Sequence, residues 1–404
     1  MDVGDKMAKK LKYLLCFFLV FFIFININAL EIQSNSAILY NTNDNEILFA
    51  KNENQKVQIA SITKIMTAIV VLEKVNNLDK SITLTSNDFK SLREENLVTS
   101  GFVIDETVTY RDLLNGLLIK SGAECAKALV NNIASEEEFV QFMNKKGHEL
   151  GLKNTNFSNP IGLDNENNYS TASDVSLLFM YALKNDEFKK IITTESYTSS
   201  DGRLTIKNKI RKNDIVGDYI LGGKTGTTDG AGLCLASIAS KDSVNFLLVT
   251  LGAPYDKKGQ HNFEDAKTIY ENFINNYGYQ NIAKKGDKVL TIKTKYTEKD
   301  KVDFYLSKTI KKYLPNNYDK KDITYKYKGV EQITSKFKKN AYLGTLTFYY
   351  KDEKIDSEKI ILKEKQKFSH IKYIKAHKIQ ILMITLTVFS LLIVLIGRRI
   401  RKLK

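Results

Sequence analysis

Residues 58–72 read Gln58-Ile59-Ala60-Ser61-Ile62-Thr63-Lys64-Ile65-Met66-Thr67-Ala68-Ile69-Val70-Val71-Leu72. Ile62, Ile65, Met66, Ile69, Val70 and Leu72 recur at helical spacing, which predicts a helix with Ser61 near its start. Positions i and i+3 share a helix face, so the Lys64 amine can reach the Ser61 oxygen. A serine hydroxyl is a poor nucleophile until a base takes its proton. A lysine serves as that base only where desolvation or neighbouring cations lower its pKa. The spacing alone is weak: Ser335 to Lys338 repeats it in a segment without a helical pattern.

Outward from this stretch the pattern is mixed. Ala37 to Tyr40 and Ile47 to Ala50, joined by a turn-rich Asn41-Thr42-Asn43-Asp44-Asn45, predict a hairpin. Helices are expected at 110–119, 122–133, 136–150, 173–184 and 262–276, and strands at 219–224, 233–240 and 244–251. Helices with late strand pairs on short loops indicate an α+β domain over 30–284, not a doubly wound parallel sheet. Residues 285–366 hold short β-rich runs (289–292, 302–306, 323–327, 343–349 and 359–362), which predict a small all-β domain.

Two further groups bear on the chemistry. Lys224-Thr225-Gly226, after Leu221-Gly222-Gly223 and before Thr227-Thr228, falls on a predicted strand. A glycine after Lys-Thr on a strand edge lets substrate approach the backbone, with the lysine and threonine placed to hold a carboxylate. Ser121-Gly122-Ala123 is expected to open a helix running through Cys125 and Leu129. A serine there is ordinarily a cap, and alternatively a proton relay.

Ser-x-x-Lys at 61–64, Ser-Gly sixty residues later and Lys-Thr-Gly a hundred further on resemble, in that order, the penicillin-recognising serine enzymes. The match is to the low-molecular-mass penicillin-binding proteins, the serine-type D-alanyl-D-alanine carboxypeptidases. Ile59 to Thr67, Asp112-Leu113-Leu114, Glu149 to Leu152, Asn159-Pro160-Ile161-Gly162-Leu163, Tyr169 to Asp174 and Gly222 to Thr228 also resemble family segments. The resemblance is strong over 31–275 and looser over the β domain. It implies a penicillin-binding protein/β-lactamase-like domain, an antiparallel sheet with a helical lobe. It further implies Ser61 as nucleophile, Lys64 as general base, Ser121 as relay, and Lys224, Thr225, Gly226 and Thr227 as substrate-binding positions. The backbone N–H groups of Ser61 and Thr227 would form the oxyanion hole. The implied substrate is a peptidoglycan stem peptide ending in D-Ala-D-Ala, with β-lactams as covalent inhibitors and no metal or organic cofactor.

Ala123 departs from the family pattern, which usually has Asn; its loss removes hydrogen-bonding capacity, and Glu124 is one candidate to replace it. Val103-Ile104-Asp105 replaces an expected Pro-Gly turn. Rival readings are a catalytically weak stem-peptide-binding regulator of wall synthesis, and a β-lactamase, for which no Glu-x-x-Leu-Asn loop lies between Ser121 and Lys224.

Both ends read as addresses. Lys6, Lys9, Lys10 and Lys12 precede an apolar run from Leu14 to Ile25 and a small-residue site before Ala29, the order of a signal peptide over 1–29; an uncleaved anchor is the alternative. Residues 379–397 are apolar enough for a transmembrane helix about 28 Å long, followed by a basic tail at 398–404. Positive charge stays on the cytoplasmic side, which places the body outside a cytoplasmic membrane. Of the net +15, residues 30–284 contribute −5 and 285–378 contribute +13, including a basic connector at 367–378. That segment either leans on anionic headgroups or wall polymers, or is a solvated lysine surface. An exported body excludes nucleic acid as the expected partner. Cys125 and Cys234 allow one bridge, with two buried thiols the safer reading. No spacing suits a metal.

Overall fold

The computed structural model describes residues 30–211, 213–257 and 259–401. The expected signal peptide at 1–29 lies outside the described residues. The chain divides into two compact units at Asn275 and Asn276. The second unit starts ahead of the charge shift at 285, because a strand over Tyr277–Ala283 pairs with Ile310–Pro315.

In the first unit, β1 (Ser36–Asn41), β2 (Glu46–Lys51), β3 (Ile220–Thr228), β4 (Gly232–Lys241) and β5 (Val244–Ala253) form one antiparallel sheet in the order β2-β1-β5-β4-β3. The expected hairpin is β1–β2. Strand alternation sends Ile38, Tyr40, Val249 and Ala236 into one core with the helical lobe. Phe246 of β5 and Ser237 of β4 meet Tyr270 of a late helix instead.

The lobe comprises α1 (Lys64–Lys74), α2 (Tyr110–Asn115), α3 (Ala123–Asn131), α4 (Glu136–Glu149), α5 (Ala172–Ala182) and α6 (Asp186–Thr193), and α7 (His261–Asn276) follows β5. Lys64 to Val71 are all buried. A helix apolar on every side belongs in the interior, so α1 is the central post of the lobe and not a surface helix. Ser135, Thr171 and Asn185 cap α4, α5 and α6 through their side chains. The sequence reading missed α6: eight residues are too few for periodicity to declare itself, and its Phe188, Ile191 and Ile192 form helix only by packing.

The second unit continues with β6 (Tyr277–Ala283), β7 (Lys288–Lys295), β8 (Lys301–Tyr305), β9 (Ile310–Pro315), β10 (Ile323–Gly329), β11 (Gln332–Thr334), β12 (Tyr342–Tyr350) and β13 (Glu353–Ile361). They pair as β6-β9, β8-β7-β11 and β10-β12-β13. Ile292, Phe304, Ile333, Leu346 and Ile360 make its core. The expected runs became β7, β8, β10, β12 and β13; β6, β9 and β11 carry too little alternation to be read alone. α8 (His370–Ala376) leads into α9 (Lys378–Arg401), a helix long and apolar enough to cross a membrane. Ser335 to Lys338 form a turn, so that Ser-x-x-Lys repeat lacks a helix to align it.

Candidate active site

Ser61 lies in a single 3-10 turn, Ala60–Thr63, that feeds α1. Ala60 holds a left-handed φ of 45°, a strained setting for a residue with a Cβ. The turn brings Lys64 Nζ to 2.8 Å from Ser61 Oγ. The same amine donates to the Ile161 carbonyl oxygen at 2.8 Å. Donating there fixes the ammonium's direction and leaves its hydroxyl-facing side for proton exchange.

That carbonyl is presented by a loop built on Asn159. Its Oδ1 accepts from the backbone N–H of Ile161, Gly162 and Leu163 at 3.2, 2.7 and 3.0 Å. Thr67 Oγ1 donates to the Pro160 carbonyl at 2.7 Å, stitching the loop to α1. Asp164 then accepts from Thr228 Oγ1 at 2.5 Å and Gly230 N at 2.9 Å, tying the loop to the end of β3. The role of this loop is not legible from its residues alone. Its Asn-Pro start signalled a turn, but which amine it serves depends on contacts about a hundred residues apart in the chain.

Burial is the main influence on Lys64. Desolvation lowers its pKa to about 7, against an upward pull from the Glu124 carboxylate. The unprotonated amine, the state that can accept the serine proton, is therefore accessible near neutral pH. Lys224, in mid-β3, is also buried; desolvation first, and the neighbouring Lys64 charge second, hold it well below the ordinary lysine range. Its Nζ donates to the Thr225 carbonyl at 2.7 Å. Among the described residues no carboxylate pairs with it, so an anion entering beside it would favour its protonated form and supply a counter-charge.

Strand β3 is an edge of the sheet, and its glycines let it pass close to the nucleophile. A Cβ on Gly226 would stand 3.0 Å from Ser61 N. Thr225 is half-buried and Thr227 exposed, the accessible positions of the motif.

Ser121 corrects the reading as a helix cap. It ends a π-turn over Gly116–Lys120 in left-handed geometry, φ 68°, and the residue before α3 is Gly122, whose backbone makes no side-chain cap. Ser121 Oγ is buried and has no hydrogen-bond partner. π-Turns and left-handed non-glycine residues both cluster at functional sites, where the fold over-determines the strain. Ser121→Gly removes that strain of roughly 1–2 kcal/mol together with the unpaired hydroxyl. It is expected to leave the melting temperature equal or higher while slowing turnover at least ~100-fold; Ser121→Ala should show the slowing without the stabilisation. Thermal unfolding and turnover measured on both variants test this, and wild-type turnover in Ser121→Gly would dismiss the hydroxyl from the chemistry.

Ala123 is buried in the core, its N–H donating to the Val98 carbonyl at 2.8 Å. Glu124 does not take the place of an amide in the cleft. It is wholly buried, and its Oε1 accepts from Ser100 N at 2.5 Å and Gly101 N at 3.3 Å. Burial raises its pKa. Cys125 and Cys234 are free, buried thiols; Cys125 Sγ donates to Ser100 Oγ at 3.4 Å.

An antiparallel sheet, a buried central helix headed by Ser-x-x-Lys, and an edge-strand lysine facing it define the active-serine, penicillin-binding class. The solved structure of penicillin-binding protein 5 from Haemophilus influenzae shares the fold, with a TM-score of 0.60 and 23% identity over 83% of this chain and 98% of that one. The chain belongs to the D-alanyl-D-alanine carboxypeptidase family, whose model matches residues 25–255, and the model of the penicillin-binding protein 5 C-terminal domain matches 277–367. It is 34% identical to the D-alanyl-D-alanine carboxypeptidase DacF of Bacillus subtilis, over 56% of this chain and 59% of that protein. It is 30% identical to DacD of Escherichia coli, over 65% of this chain and 68% of that protein.

Proposed function

We propose that this protein is a serine DD-carboxypeptidase that removes the terminal D-alanine from peptidoglycan stem peptides. The observation that carries the reading is the 2.8 Å approach of a buried Lys64 amine, its pKa lowered to about 7, to Ser61 Oγ. Family membership supports the substrate. Lys64 takes the Ser61 proton as the oxygen attacks the penultimate carbonyl carbon. The oxyanion draws on the N–H groups of Ser61 and Thr227. Collapse breaks the C–N bond; the departing amine receives the proton through Ser121, and water hydrolyses the ester on Ser61. The substrate's terminal carboxylate supplies the counter-charge that buried Lys224 lacks, with Thr225 beside it and Gly226 leaving room for the peptide. A β-lactam enters the same path and stays as a stable acyl-enzyme.

The same reading makes α9 a membrane anchor. Arg398, Arg399 and Arg401 at its end set that side in the cytoplasm and the catalytic unit on the wall side.

Because Lys64 acts unprotonated and its pKa is lowered to about 7, the acylation rate should climb about ten-fold per pH unit below that value and level off above it. Stopped-flow acylation between pH 5 and 9 checks the sign; a rate that falls with rising pH over that range would contradict a lysine base. The deciding experiment follows fluorescent penicillin and a D-Ala-D-Ala peptide on the same preparation. A persistent label on the peptide containing Ser61, with D-alanine released, is the expected result. Label without release would instead indicate a binding protein, and rapid loss of the label a β-lactamase.

A further inference from the structure

Strands β8 and β13 are each the edge of a three-stranded sheet, each with one strand partner. Between them lies a cavity of about 540 Å³ lined by Lys301 to Tyr305 on one side and Glu358 to Lys363 on the other. Glu358 Oε1 accepts from Ser307 N at 2.8 Å, which ties its two sides together. An unpaired edge presents a row of N–H and C=O groups at the spacing of another strand.

The side chains along the seam alternate in a way that specifies an occupant. On β13 and just past it, Glu358, Ile360 and Leu362 are buried, and Lys359 and Ile361 are exposed. The other carboxylates of the cavity are engaged: Asp303 accepts from Thr291 Oγ1 at 2.6 Å, and Glu364 lies 3.8 Å from Lys299. Glu358 is more than nine-tenths buried, and its Oε2 has no partner. An unsatisfied buried carboxylate oxygen is costly, and a cation or N–H donor from outside would relieve it. Lys301, Lys359 and Lys363 on the rim oppose a generally basic ligand and favour acidic residues at outward positions.

We infer that the seam between β8 and β13 is a binding groove for an extended polypeptide that adds a strand, carrying one inward lysine or arginine for Glu358, inward apolar residues beyond it, and acidic residues facing out. Main-chain pairing supplies affinity and the alternate side chains supply selection, as in other strand-addition sites. The competing account is that the rim lysines and the inward Glu358 merely protect the edges from aggregation, a known use of such residues.

The test uses the full chain in detergent micelles and the dye-labelled probe acetyl-Glu-Lys-Glu-Val-Glu-Val-amide. Saturable anisotropy is expected, with slowed amide exchange confined to residues 301–305 and 358–362. Norleucine in place of the probe's lysine should weaken binding about ten-fold or more, as should Glu358→Gln in a protein of unchanged melting temperature. The norleucine comparison needs no protein variant, so it decides the matter even where Glu358→Gln fails to fold. No saturable binding, protection elsewhere, or equal affinity for the norleucine probe overturns the proposal in favour of edge protection.

Discussion

Ser61→Ala is expected to abolish penicillin labelling and D-alanine release, and Lys64→Met, with the serine still in place, to slow acylation at neutral pH by at least ~1,000-fold. The reason lies in the pair. With Lys64 Nζ 2.8 Å from Ser61 Oγ and anchored on the Ile161 carbonyl, the amine is the nearest group that can take the proton. Methionine fills the same buried channel without a basic nitrogen, so α1 and its core contacts remain. The double variant should be no slower than Ser61→Ala, because groups that act as a unit are not additive when removed. Both proteins must first give wild-type thermal transitions. A Lys64→Met protein that is labelled at near wild-type rate would remove lysine from the role of base and leave the close contact as packing alone.

The second large effect is expected at a residue that touches no substrate. Gly162 holds φ 87°, and a Cβ there would stand 2.1 Å from the Ala60 carbonyl oxygen, an atom of the backbone that carries the nucleophile. Gly162→Ala therefore meets two costs: left-handed geometry, roughly 1–2 kcal/mol, and overpacking against a rigid turn, roughly 1–3 kcal/mol. A loss of about 3 kcal/mol lowers the melting temperature by roughly 6–12 °C in a domain of this size. The relief available is a shift of the Ala60–Thr63 turn or of the Asn159 loop, and either separates Ser61 from Lys64. A displacement near 1 Å should slow acylation about 100-fold even in the folded fraction. Calorimetry and acylation rates on one preparation decide it; unchanged values of both would mean that the loop yields without moving the nucleophile.

Most members of the proposed site were legible in the chain. The spacing of Ser61 and Lys64 predicts that they share a face of one helical turn, and the Ala60–Thr63 turn into α1 realises it. The short apolar runs at 37–40 and 244–251 likewise pointed to strands of the sheet, and the apolar run at 379–397 to the last helix. Ser121 was legible as a motif but misread as geometry. A serine before a helix is ordinarily its cap, yet here a π-turn ahead of it turns the residue left-handed and Gly122 precedes α3. Glu124 was likewise misplaced: only the fold shows that it is wholly buried, with its Oε1 held by the N–H groups of Ser100 and Gly101.

The amino-acid sequence by itself determined which groups are present and their local spacing, and hence that Ser61 and Lys64 lie within one helical turn of each other. The tertiary structure decided what state those groups are in. The pKa of Lys64, lowered to about 7, comes from burial among residues drawn from distant parts of the chain. The lack of a counter-charge for Lys224, the carbonyl of Ile161 and the fit of Gly162 against Ala60 arise in the same way. Spacing along a helix is a property of covalent geometry, whereas desolvation and steric fit sum over neighbours that only folding assembles.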